Sequence, residues 1–486
     1  MGEWAASFLL LGALSTGGTL PFWTASNQYG IYPESNGVLA VAGVQKDFNL
    51  EKAFDWRCGG SIALRSDGLK PGLTPCSEVL VDELYASLRW KKLVLDLGMK
   101  HNELDFLAAD ARLGSLSTTG GRLVRGNNAR SMPGYAFVCR PVAFPFTKEH
   151  LWFFGSYEDY FTLDNRYARR ALVHRMNLGL KIKIARWMDL SLSLDHFAVW
   201  GGWMPGQTRS VVNFGNYFRI ITGQAGGKDA SLSDRMNVLG FHGGSELIRF
   251  DFHGNGWDIV FQHDRPYNDR SGMKFQNFPD AVNTLSFSFR DKKRWVSDVL
   301  YEFVYTMYQS GPIHDAETDK QGNPIPWDPS RNYIGCDNYF NNGEYKSSWT
   351  YYGRPLTSPL FYPAGTRAGT WSRHQMLVWG IENNRIIAHH IGLSGMLFRA
   401  APYKLMLTFS QNYGIYGRPY AGENAAQKPW GSVKETPLLQ FSAAFTGIVP
   451  DIGGVKGFSL LYGIYGDIGQ VLKNNFALTL GLRYQL

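Results

Sequence analysis

From Leu172 to Ile184 the chain alternates: Leu172, His174, Met176, Leu178, Leu180, Ile182 and Ile184 are interleaved with Val173, Arg175, Asn177, Gly179, Lys181 and Lys183. A strand turns successive side chains to opposite faces, whereas a helix would mix the lysines into the apolar stripe, so the pattern predicts a strand. After Ala185-Arg186-Trp187 the rhythm resumes, with Met188, Leu190, Leu192 and Leu194 on one face and Asp189, Ser191, Ser193 and Asp195 on the other. The two arms predict a hairpin, and each reaches the ~9–11 residues that a tilted strand needs to cross a bilayer.

The signature recurs. Leu93, Leu95, Leu97 and Met99 oppose Asp96 and Lys100; Ile248, Phe250 and Phe252 oppose Arg249 and Asp251; Leu285, Phe287 and Phe289 oppose Ser286, Ser288 and Arg290. Trp295, Val299, Tyr301, Phe303 and Tyr305 oppose Asp298, Glu302 and Thr306, placing two carboxylates away from lipid. The last segment sets Phe476, Leu478, Leu480, Leu482, Tyr484 and Leu486 against Ala477, Thr479, Gly481, Arg483 and Gln485. Such segments number about 18 to 20, and bacterial single-chain barrels use even numbers of strands. The expected fold is therefore all-β, a transmembrane antiparallel β-barrel of about 18 strands that takes residues 1–486 as a single domain. Short links such as 254–256 and 291–293 alternate with long ones near 101–132, 201–237, 308–372 and 415–436; short turns usually face the periplasm and long loops the outside. Segments 210–222 and 231–238 are expected to form short helices, with Ser231 or Ser233 capping ahead of Asp234, that plug one end of the barrel. A soluble sandwich or propeller also alternates, but strand length, aromatics near strand ends and the lack of a blade-length repeat favour the membrane barrel.

Composition fits this reading. Of 486 residues 15% are aromatic and only 19% charged, below the roughly 25% of soluble domains. No stretch approaches the ~18 consecutive apolar residues of a membrane-spanning helix, a test that a barrel escapes because only alternate residues meet lipid. The net charge of +8 is scattered along the chain and no nucleic-acid-binding motif accompanies it, so nucleic acid is not an expected partner. Phe8-Leu9-Leu10-Leu11 lacks a positive flank and carries Glu3 upstream; it reads as a mature first strand, with Met1 standing where an export signal was removed. Of Cys58, Cys76, Cys139 and Cys336, Cys58 with Cys76 is the expected bridge in an oxidising compartment, with four free thiols the alternative.

Signatures of enzymes are missing: there is no GxSxG elbow, HExxH or phosphate loop. The neighbours His389-His390 and Glu158-Asp159 each point to opposite faces of a strand, so neither pair suits a metal or a glycosidase dyad. No catalytic residue, metal or cofactor is expected. Glycan recognition is the chemistry the loops can offer, because flat aromatic faces take sugar rings and planar polar groups take hydroxyls. Trp200, Trp203, Tyr217, Trp327, Tyr339, Trp349, Tyr351 and Tyr352 are the aromatic candidates, with Arg130, Asn341, Asn342 and Arg354 as polar partners.

Several irregular segments, in order, resemble the Wzi family of capsule-assembly outer-membrane proteins. They are Pro21-Phe22-Trp23 with Asn27-Gln28-Tyr29-Gly30, Asn127-Asn128-Ala129-Arg130-Ser131-Met132-Pro133, Asp164-Asn165-Arg166-Tyr167, and Gly223-Gln224 leading to Gly240-Phe241-His242-Gly243-Gly244-Ser245. The series continues through Ser271-Gly272-Met273, Asn277-Phe278-Pro279-Asp280, Tyr339-Phe340-Asn341-Asn342, Trp349-Thr350-Tyr351 and Gly353-Arg354. The resemblance implies an outer-membrane barrel partly closed by helices that acts as a lectin, holding capsular or other surface polysaccharide at the cell surface. The expected partners are that polysaccharide and outer-membrane lipid. A saccharide porin, or a structural subunit bound to other outer-membrane proteins, is the alternative.

Overall fold

A computed structural model describes residues 3–68, 76–102, 115–206, 212–228, 230–231, 234–235, 238–268, 270–312, 314–315, 333–367, 380–424 and 434–486. The first six barrel strands are β1 (Trp4–Ser15), β2 (Gly37–Lys46), β3 (Phe54–Asp67), β4 (Cys76–Trp90), β5 (Leu93–Met99) and β6 (Pro133–Ala143). Then come β7 (Leu151–Phe161), β8 (Leu172–Ala185), β9 (Met188–Trp200), β10 (Phe241–His253), β11 (Trp257–Tyr267) and β12 (Ala281–Phe289). The last are β13 (Asp298–Tyr305), β14 (Ile386–Leu397), β15 (Ala401–Asn412), β16 (Leu438–Val449), β17 (Phe458–Gly469) and β18 (Asn475–Gln485). Each pairs antiparallel with its neighbour in sequence, and β1 pairs with β18 from Ser7↔Gln485 to Ser15↔Ala477. The 18-stranded sheet thus closes on itself, which leaves no edge with unpaired backbone groups in lipid.

The two-residue rhythm sets the two faces. On β18 Leu480 is 62% exposed and its neighbour Thr479 6%; on β8 Leu178 and Leu180 lie open while Arg175 and Asn177 are buried toward the lumen. At the short-turn end Trp4, Phe54, Trp56, Trp90, Phe146, Trp187, Trp295 and Phe398 are exposed, forming one interfacial girdle. The turns there are short, down to Lys91–Lys92 and Arg186–Trp187, whereas the connections 16–36, 100–132, 201–240, 306–385 and 413–437 cluster at the opposite end. Trp295 itself belongs to a turn, since β13 starts only at Asp298.

The described parts of three of the long connections fold into the lumen. The 16–36 segment carries a short helix, α1 (Phe22–Ala25). Its Trp23 Nε1 donates to Thr408 Oγ1 at 3.0 Å, and the Phe22 amide donates to Asp467 Oδ2 at 2.8 Å, both acceptors on barrel strands. In the 100–132 connection Ser117 Oγ and the Thr118 amide donate to Glu302 at 2.7 and 2.6 Å, and the Leu123 amide donates to Asp264 at 2.9 Å. From the 306–385 connection Trp349 stacks on Phe197 of β9 at 3.8 Å and donates to Val124 O at 3.3 Å. The loops also bind one another: Gly126 N donates to Leu356 O at 2.9 Å, and Tyr29 N to Asn127 O at 2.7 Å. At Gly126 a Cβ would stand 2.6 Å from Thr357 O, so only glycine permits this approach. The largest hydrophobic cluster, with Leu123, Phe197, Phe241, Phe340, Trp349, Tyr351 and Phe361, lies where these loops meet the wall.

Two expectations change. Cys58 lies opposite Ala86 and Cys76 opposite Asp67, so the two are nine residues apart along the hairpin, roughly 30 Å at ~3.3 Å per residue. No bridge spans that, and Cys58 is a free thiol. The helix expected over 210–222 exists as α2 (Phe214–Thr222), with Asn213 accepting from the Asn216 amide and Gly223 ending it in the left-handed region at φ 60°. It does not plug the barrel. Ile220 packs with Ala198, Trp200 and Leu239 on the outer side of the wall, so α2 lies outside and the lumen is filled by other loops. Of the second expected helix, Asp234 and Arg235 are helical and Ser231 Oγ accepts from the Asp234 amide at 3.1 Å; Ser233 lies outside the described residues.

Candidate functional site

Where the plug meets the wall of β4–β9 the lumen is charged. Arg125, from the 100–132 connection, bridges Glu158 of β7 and Asp195 of β9, meeting the latter at 2.7 Å. Arg122 of the same connection also pairs with Asp195, and Arg175 of β8 reaches Glu158 at 2.6 Å and Asn102 Oδ1 at 2.8 Å. Tyr160 donates to Glu158 at 3.0 Å. Alternation explains the inward carboxylates: Glu158 and Asp195 share a face with other lumen residues. The Glu158-Asp159 pair diverges, Asp159 going to the outer face, and His389-His390 diverges likewise, His390 turning in to Thr408 and His389 out to Tyr301.

Beside this network β4 carries a bulge: Ser61 pairs with Glu83 but Ile62 with Val81, so Asp82 is extra and both carboxylates face inward. They seize His101, whose Nε2 lies 2.8 Å from Asp82 Oδ1 and whose amide donates to Glu83 Oε1 at 2.7 Å. The imidazole stacks on Tyr29 with ring centroids 3.6 Å apart. Burial, with the nearby carboxylates, pushes the Tyr29 hydroxyl up to about 12, so it stays a neutral donor at physiological pH.

Two cavities flank this region. One, of about 60 Å³, lies among Asp96, Lys100, His101, Arg125, Glu158 and Arg175; it has room for a few waters and not for a sugar ring. A second, of about 410 Å³, lies toward the short-turn end against β1–β4 and β18, lined by Ser7, Gly43, Gln45, Gly59, Ser61, Asp82, Glu83, Tyr85 and Gln485. That volume suits a monosaccharide or larger ligand. Reading loops for aromatics missed this cavity. Its signal is the run of small residues at inward positions, Ala5, Ser7, Gly43, Gly59 and Ser61, where other strands carry bulk.

The sequence-chosen residues divide by accessibility. Tyr339, Trp349 and Tyr351 are 0%, 0% and 1% exposed, and Asn341 is buried with its amide on Ile381 O. Tyr339 donates to Asp280 Oδ2 at 2.8 Å, and Arg354 holds Ala25 O at 3.3 Å, stitching one plug loop to another. These five pack the plug and present no open face to a sugar in this structure. Trp200 is buried outside the wall, its ring 5.8 Å from that of Tyr217 on α2. Asn342 accepts from the amides of Glu344 and Tyr345, turning its loop. Arg130 sits over the Tyr352 ring at 4.3 Å and lines a small cleft with Tyr29, Lys100, Ser131, Tyr160 and Arg175. Trp203 is about half exposed. Trp327 lies outside the described residues.

A closed 18-stranded antiparallel barrel with an outward apolar belt and a lumen filled by its own loops defines an outer-membrane barrel. Comparison with known proteins gives the same class. The chain is similar in fold to Wzi of Escherichia coli, described as an outer-membrane protein involved in group 1 capsule assembly and a carbohydrate-binding β-barrel, with TM-score 0.54 and 12% identity over 98% of this chain and 83% of that one. It also aligns with two Pseudomonas aeruginosa proteins, OccK5 (TM-score 0.45, 8% identity, 100% and 98% covered) and OprD (0.44, 11%, 100% and 95%). No protein-family model and no curated protein matches the sequence.

Proposed function

We propose that this barrel binds surface polysaccharide without chemically altering it, holding capsular or related glycan at the outside of the cell. The observation that carries the reading is the plug. Segments 16–36, 115–132 and 335–362 are tied to the wall by buried ion pairs and hydrogen bonds and to each other through a shared aromatic core. Such an interior suits a fixed platform better than a diffusion path. The carbohydrate-binding description of the Wzi barrel agrees with it. Among the residues chosen from sequence, Arg130 and Asn342 keep open surface for a glycan at the long-loop end, with Tyr352 beside Arg130.

The test is deletion of the gene followed by measurement of cell-bound and shed polysaccharide. Loss of bound polysaccharide to the medium supports the reading, and unchanged retention removes it. A second reading, a gated saccharide conduit, draws on the 410 Å³ cavity that enters the lumen from the short-turn end. Planar bilayers separate the two: large steady currents from the purified protein favour the conduit, and silence favours the platform.

A further inference from the structure

The outer face of β6–β10 carries a polar cluster at positions where alternation puts side chains toward the membrane. His174 shares its face with Leu178 and Leu180, and His196 with Leu192. The His174 ring lies 3.0 Å from Asp159 Oδ1, Tyr135 donates to Asp159 Oδ2 at 2.5 Å, and His196 Nε2 lies 2.9 Å from His242 Nδ1. From girdle residue Trp187 to His196 is nine residues; at a ~40° tilt they climb about 23 Å, close to the ~25 Å height of the apolar band. The cluster therefore stands at the far membrane interface. α2 lies over it, its Tyr217 hydroxyl bonded to Asp159 and Tyr157.

The other side of α2 is greasy. Phe214 is 83% and Phe218 54% exposed, one helical turn apart, and Val212, Trp203, Phe161 and Leu163 extend the surface. Below, it continues into the open Leu178 and Leu192 of the barrel belt, so the hydrocarbon that covers the belt reaches the helix as well. Cations edge it. Arg169 and Arg170 are exposed, and Arg169 pairs with Trp203 through the backbone with its guanidinium 5.7 Å from the indole. Val212 reaches the same rim, within 3.0 Å of where a Gly201 Cβ would stand. The next long connection repeats the device: Met273, Phe275 and Phe278 are exposed beside exposed Lys274, over Arg265, Glu246 and Asn277, which bond one another beneath.

We propose that this flank is a seat for the phosphorylated glycolipid of the outer leaflet, lipid A, with acyl chains against Phe214, Phe218 and Val212 and a phosphate on Arg169 and Arg170. Two observations jointly select this occupant: a hydrocarbon-facing ledge continuous with the belt, and exposed guanidinium groups at its rim, which match an anionic amphiphile and not a neutral lipid or an apolar protein face. The assignment stands apart from the glycan reading, since it concerns the outside of the wall.

Native mass spectrometry of the delipidated full-length protein, titrated in detergent with bisphosphorylated lipid A, tests it. The wild type retains lipid A more tightly than dephosphorylated lipid A, and Arg169→Ser/Arg170→Ser lowers the affinity about tenfold or more. Phe214→Ser/Phe218→Ser lowers it for both lipids. Because these side chains are exposed, heat-modifiable gel migration, which reports a folded barrel, stays as in the wild type. Equal retention of the two lipids, wild-type affinity in the arginine variant, or a dimer in lipid-free detergent that Phe214→Ser/Phe218→Ser dissociates overturns the proposal.

Discussion

Arg125 shows how one side chain fastens a loop to a wall. It is partly buried between the fully buried Glu158 and Asp195, each of which keeps a second guanidinium partner, Arg175 or Arg122. Removing one partner of a buried pair typically costs 3–5 kcal/mol because a charge is left uncompensated. Here the remaining arginines limit the loss, so Arg125→Ala is expected to destabilise the protein by about 3 kcal/mol, read as a lower thermal midpoint in detergent. Asp234 behaves differently. Burial, with Glu344 nearby, pushes its carboxyl up to about 6, while the Gly240 amide donates to it at 3.0 Å. A raised carboxyl pKa favours the protonated folded form, so its stabilisation is complete below the unfolded value near 4 and is lost as pH rises through about 6. Hydrogen exchange at the Gly240 amide, corrected for intrinsic rates, is expected to quicken between about pH 4 and 6, and Asp234→Asn to flatten that dependence. Neither residue stands out in the sequence, since a lone Arg or Asp in a loop becomes special only through partners many residues away.

At the scale of elements the strands were largely legible, and so was the helix within 210–222, but not the side of the wall on which that helix lies. β8 and β9 follow their alternation up to an irregularity at Lys183–Ala185, and the break at Arg186-Trp187 falls where the pattern lapses. Leu178→Arg, on the lipid face, is expected to cost about 2–4 kcal/mol in folding titrations into phospholipid vesicles. Lys181→Leu, toward the lumen, loses a half-open pair with Asp189 and is expected to cost within about 1 kcal/mol. His174 looks like an error in the apolar face of β8, and sequence alone gives no reason for it. The reason is α2, whose Tyr217 reaches the Asp159 that His174 contacts. The amphipathic spacing of 214–222 identifies a helix, but one apolar stripe serves equally to fill a lumen or to face lipid, so its side of the wall was undetermined. The Cys58–Cys76 pairing failed for a related reason: proximity in sequence across a hairpin says nothing about register, which sets these cysteines far apart.

For the whole molecule the decisive feature is the stitched interior. Glu302, midway along β13, holds Ser117 and Thr118 and meets Thr284 at 3.3 Å. Glu302→Ala frees that end of the plug and is expected to produce brief conductance bursts in planar bilayers while the barrel stays folded on gels. The sequence by itself determined which side chains point out of the wall and that there are about 18 to 20 strands, because a period of two is a local consequence of backbone geometry and needs no knowledge of distant residues. Only the tertiary structure decided that Tyr339, Trp349 and Tyr351 are plug and not open surface, and that Arg130 borders a cleft. Burial of a loop aromatic is a relation between segments far apart in sequence, as when Trp349 meets Phe197 and Val124, and such a relation leaves no periodic trace along the chain.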